Sequence, residues 1–168
     1  TDLSNTMNAD LLYVFLYGMT PIGELRLAIP LGLSVLDLPW YSVYPVAILG
    51  NIIPPIIIIP LLRLMDRYIQ YVPQPLEKLL NWQKRRIRRL HTNRFSRYGA
   101  FALVCFVAIP LPMTGAWTGS LAAYLFEVSL RRSVILIGLG LIISGIIVSA
   151  LVLSSLEIAG VIGNPPQV

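Results

Sequence analysis

Glu24 and Arg26 are the only charged side chains between Asp10 and Asp37, in a stretch that is otherwise apolar. A charge inside a membrane segment costs at least about 2.5 to 3.5 kcal/mol, so an ionisable residue kept there is a candidate for function. Glu24 could take up a proton or hold a cation, and Arg26 could hold an anionic head group through its planar fork of donors. The alternative is a structural ion pair. Residues two apart do not face each other on a regular helix, but they can on a broken one. A second, uncharged group comprises Pro110, Pro112, Thr114, Gly115, Trp117 and Thr118. There the hydroxyls offer polar contacts, and a helix starting near Pro112 would point free N–H groups and a positive dipole end at an anion. Helix packing by small residues is the competing reading. Trp117 is a substrate-facing ring, a packing residue or an interface anchor. Asn51 is a further polar candidate, or else a partner for backbone freed by Pro54 and Pro55.

Both groups sit in proline-split apolar motifs, Thr20 to Gly32 and Ile109 to Gly119. Backbone that leaves the helix in hydrocarbon strands N–H and C=O groups at several kcal/mol each, so breaks occur only where protein or a water-filled cavity receives them. Leu11 to Gly32 is expected to break at Pro21 and Pro30. Trp40 to Leu62 is long enough to span, with Pro45, Pro54, Pro55 and Pro60 predicting kinks or local unwinding. Tyr98 to Phe126 would extend about 44 Å as one helix, well beyond a bilayer core of about 30 Å. Because the residue before a proline is pushed out of the helical region, Ile109-Pro110-Leu111-Pro112 predicts a tip between two half-length helices, with one tilted, kinked span as the alternative. Ser133 to Ser154 has neither charge nor proline and matches one crossing. Its Gly140/Ser144 and Gly145/Ser149 pairs predict close approach of neighbouring helices.

Composition agrees: 56% of the 168 residues are hydrophobic, 12% are charged, and mean hydropathy is +0.74. This describes an integral membrane protein. Leu11 to Met19 is apolar but has no basic stretch before it and no small-residue cleavage site after it, so the spans themselves are expected to direct insertion. A single cysteine, Cys105, provides no intrachain disulfide or cysteine-rich metal site. His91 stands alone, and no phosphate loop or nucleophile elbow is visible, so the reading is neither enzyme nor cofactor protein.

Ten of the thirteen basic residues fall between Arg63 and Arg97. Leu76, Leu79, Leu80, Ile87 and Leu90 recur there at roughly helical spacing, predicting an amphipathic connector helix on the anionic inner leaflet. The run Lys84 to Arg89 is assigned to topology and not to nucleic acid. Basic flanks on both sides of Tyr98 to Phe126 put its ends in the cytoplasm, whereas Asp2, Asp10 and Asp37 put the ends of the first broken segment outside. The expected architecture is therefore an all-α membrane domain with an inverted-topology repeat of two re-entrant hairpins and two transmembrane helices. Repeat one covers 8–65, the cytoplasmic connector 66–97 and repeat two 98–156. The broken segments are expected to meet near the midplane.

Glu24 to Gly32, Gly50-Asn51-Ile52-Ile53-Pro54 and Arg97-Tyr98-Gly99 through Gly119 together resemble the small multidrug export protein family of prokaryotes. The resemblance implies a multi-pass protein of the inner membrane. That family is distantly similar to the DedA superfamily, which implies two opposed re-entrant hairpins and translocation of polyprenyl-phosphate lipids. The lipid-carrier arginines expected of the second DedA hairpin are absent from Tyr98 to Phe126. The expected function is a small secondary transporter, homodimeric, surrounded by membrane lipids and moving an amphiphilic or lipid-like substrate. A DedA-like lipid-phosphate translocase and a non-transporting membrane scaffold are the alternatives.

Overall fold

The computed structural model describes residues 2–68, 93–111 and 114–163. Among these every regular element is helical: α1 (Asp2–Met19), α2 (Glu24–Pro30), a π-helical turn (Leu31–Val35), α3 (Trp40–Tyr68), α4 (Asn93–Ala108), α5 (Ala116–Leu125) and α6 (Leu130–Gly163). The expected amphipathic helix of the connector, and Pro112, lie outside the described residues.

Among the described residues two helices are long and apolar enough to cross a membrane, over Trp40–Met65 and Leu130–Ile158. Their outward faces carry Leu49, Ile57, Leu61, Ile135, Ile146 and Leu151, all exposed. Such a continuous apolar exterior is what lipid solvates and water does not. Of the kinks or local unwinding expected at Pro45, Pro54, Pro55 and Pro60, the unwinding does not occur: α3 is helical throughout. A helix that loses a few N–H donors to proline still satisfies more backbone in hydrocarbon than any unwound alternative.

The chain divides into two compact units, Thr1–Ile53 with Leu141–Val168, and Pro54–Gly140. In the first unit α1 ends at Met19, just before Thr20-Pro21, where proline disfavours helical backbone. The chain then folds back, so that Gly32 packs on Val14 of α1 and Val43 of α3. Pro30 does not break the chain: α2 runs through it into the π-helical turn, whose wider pitch closes with Leu36 N–H donating to Leu31 O at 3.0 Å. A Cβ on Gly18 would lie 2.8 Å from Ala47 O, and one on Gly50 would collide with the Phe15 carbonyl, so α1 and α3 touch backbone to backbone. Tyr44 donates its hydroxyl to Ile142 O at 3.0 Å and packs on Gly145, joining α3 to α6.

In the second unit Tyr98 to Phe126 holds two helices: α4 ends at Ala108 and α5 begins at Ala116. Gly119 of α5 and Gly140 of α6 both close on Val107 of α4. Helix α5 ends in a Schellman turn, with Val128 N–H donating to Ala123 O and Glu127 N–H to Tyr124 O, both at 3.0 Å. Glu127 occupies the left-handed position there, with φ 53°.

The two long helices share one burial register. Val43, Ala47, Gly50, Asn51, Pro55 and Ile59 are buried on α3, and the residues 90 positions on, Ser133, Ile137, Gly140, Leu141, Gly145 and Ser149, are buried on α6. Asp37 (φ 49°) and Glu127 stand in the same relation.

Candidate functional site

The first unit gathers Glu24, Arg26 and Asn51 around the Thr20–Gly23 turn. The Thr20 hydroxyl donates to Tyr17 O at 2.7 Å and accepts from Gly23 N–H at 3.1 Å, and Glu24 N–H donates to Thr20 O at 3.2 Å. The threonine thus takes up backbone that the break releases. Asn51, fully buried on α3, completes the arrangement: with its amide oriented to suit both neighbours, it donates to Gly18 O at 3.1 Å and accepts from Leu25 N–H at 3.3 Å. Those are an orphan carbonyl at the end of α1 and an orphan donor at the start of α2. The backbone that Asn51 braces is that of the Thr20–Gly23 break, and not that at Pro54 and Pro55, where α3 stays helical.

Glu24 is buried and has φ 48°, in the left-handed region that costs a non-glycine residue about 1 to 2 kcal/mol. Leaving the regular helix at this residue is what lets a two-residue spacing close into a pair, with Arg26 Nη2 3.6 Å from Glu24 Oε2. The partners are unequally covered: 9% of the carboxylate side chain is exposed, against 25% of the guanidinium side chain. Glu24 is thus the partner held further from the surface.

The second unit gathers Pro110, Thr114, Gly115 and Thr118 around its own break. The Thr114 hydroxyl lies 2.7 Å from Ile109 O and 2.8 Å from Leu111 O, with one proton to share, and accepts from Leu111 N–H at 3.1 Å. Gly115 is buried and extended, and its N–H donates to Thr118 Oγ1 at 3.1 Å. The threonines therefore close this turn, as Thr20 closes the other. Trp117 is half-buried on the first turn of α5.

Thr20 was not among the candidates read from sequence, although a threonine close to the prolines of each break, Thr20 before Pro21 and Thr114 after Pro110 and Pro112, is the signal that could have singled it out. Arg63 was missed likewise, counted with the connector: it reaches from α3 to donate to Val128 O at 2.6 Å.

The chain belongs to the family described as "Putative small multi-drug export protein", whose model matches residues 24–147. The match begins at Glu24, just past the first break, and takes in the second break and every site residue read as a candidate from the sequence. The family resemblance drawn from the motifs is thus shown, and the family's name points to a membrane transporter and not an enzyme. No curated protein and no solved structure matches the chain.

Proposed function

We propose that this chain is a small secondary transporter that moves an amphiphilic molecule across the prokaryotic inner membrane, using groups supplied by its two broken helical hairpins. The observation that carries this reading is Glu24: a carboxylate held buried, on strained backbone, at a helix break in an apolar protein. Evolution keeps such costs where the group works. Glu24 is the one member of the pair that can lose its charge, since a guanidinium stays protonated, so it is the group suited to exchange a proton or cation for substrate.

An inverted-topology repeat underlies the mechanism. Its support is the shared 90-residue register of burial on α3 and α6, together with the left-handed acidic residue three positions before each of these helices. The inversion itself rests on the charges that flank the two broken segments, which also put the connector in the cytoplasm. With two long spans per chain, a homodimer would help to wall off a path.

The DedA-like reading, translocation of a lipid phosphate, draws support from the greater accessibility of Arg26. It loses some at the second break, where Thr118 already takes the Gly115 N–H that an anion would seek. The test is flux into liposomes carrying the purified protein, with lipophilic cations, anionic amphiphiles and a short-chain polyprenyl phosphate as the panel. Movement of any of them, retained after deletion of the connector, supports a transporter over a scaffold. Movement of none across the panel argues for the scaffold.

A further inference from the structure

Both long helices carry their basic residues at one end only. Helix α3 begins beside Asp37 with Trp40 and Tyr41, packed edge to face at 6.4 Å, and reaches Arg63 and Arg67 at its other end. Helix α6 begins with Arg131 and Arg132 and closes past Glu157 without a further basic residue. Within the Pro54–Gly140 unit the two basic ends are joined, because Arg63 Nη2 donates to Val128 O three residues before Arg131. Counting Arg63, Glu127, Arg131 and Arg132, this end carries a net charge of +2. Arg63, Arg131 and Arg132 are exposed, at the margins of the two apolar spans, where a bilayer places its phosphates.

We infer that this joined end is a binding site for the phosphate-bearing head groups of anionic phospholipids, with Arg63, Arg131 and Arg132 as its ligands. The Val128 carbonyl, shared by Arg63 and the Ser133 hydroxyl at 3.3 Å, fixes the guanidinium beside the α5–α6 turn. A guanidinium carries about five N–H donors, so one bond to a carbonyl does not exhaust it. Its flat fork matches two phosphate oxygens, which a zwitterionic lipid offers less well because its own cation competes. The acyl chains would lie along the exposed aliphatic faces of α3 and α6 that begin at this same margin. Attraction of this kind is expected at the negatively charged cytoplasmic leaflet.

The test is thermal unfolding of the purified full chain in detergent micelles doped with phosphatidylglycerol or phosphatidylcholine, with glycerol phosphate added separately as the head group alone. Phosphatidylglycerol should raise the Tm of the wild type, and the other two should not. In Arg131→Gln/Arg132→Gln the rise, measured from that variant's own Tm in phosphatidylcholine, should fall by half or more. Arg63→Lys, which keeps a donor for Val128 O but loses the fork, should lose part of the rise as well. An undiminished rise in both variants would assign the lipid to other basic residues and overturn the site. An equal rise with phosphatidylcholine or glycerol phosphate, or no rise with phosphatidylglycerol, would overturn it too.

Discussion

Asn51 spends its amide on two backbone groups that belong to different helices, Gly18 O and Leu25 N–H. Asn51→Ala leaves both unpaired in a buried place, and is expected to cost about 2 kcal/mol or more, read as a lower Tm in detergent. Among the described residues, the three left-handed ones other than glycine, Glu24, Asp37 and Glu127, make a sharper comparison. Glycine has no Cβ to strain at such φ, so Glu127→Gly is expected to raise stability by up to about 1 kcal/mol. A drop on thermal unfolding would mean that the glutamate side chain holds the turn by its contacts. Glu24→Gly relieves the same strain and also removes the buried carboxylate, so a variant that is as stable but no longer transports would separate the residue's work from its cost.

At the scale of elements, a proline breaks a helix here only where something nearby takes over the freed backbone. Thr20 and Thr114 do so beside Pro21 and Pro110, and those breaks were legible in the sequence. Pro30, Pro45, Pro54, Pro55 and Pro60 carry the same local bias yet stay helical, which the local pattern overstates because it ignores what surrounds the backbone in lipid. The charged pair was legible too, since only Glu24 and Arg26 interrupt a long apolar run. The partners of Asn51 were not, being set by the approach of α1 and α2 to α3. Glycines make such close approaches possible, Gly50 of α3 against Phe15 of α1 and, in the second unit, Gly140 of α6 against Val104 and Val107 of α4. A Cβ on Gly140 would sit 2.6 Å from Val107 Cβ, so Gly140→Ala and Gly50→Ala are each expected to destabilise by about 1 to 3 kcal/mol. Leu139→Ala, on an exposed face, should change the Tm little by comparison.

For the whole molecule, the repeat reading makes a claim about sides. With Cys105 replaced, cysteines at Ser4 and Asp37 should react with an impermeant external reagent, and cysteines at Ser96 and Ser129 should be protected. Opposite labelling of Ser96 and Ser129 would make the second broken segment a single crossing and remove the inverted repeat. Export itself is a separate matter and rests on Glu24. The decisive measurement is flux per folded molecule in proteoliposomes for the wild type and Glu24→Gln, with Tm and insertion measured on the same preparations. The substitution keeps the shape and one acceptor oxygen while removing the titrating group. Flux should fall at least about tenfold, equivalent to roughly 1.4 kcal/mol, with the protein still folded and inserted. Undiminished flux in Glu24→Gln would contradict the assignment of this carboxylate to transport and leave the Glu24–Arg26 pair a structural one.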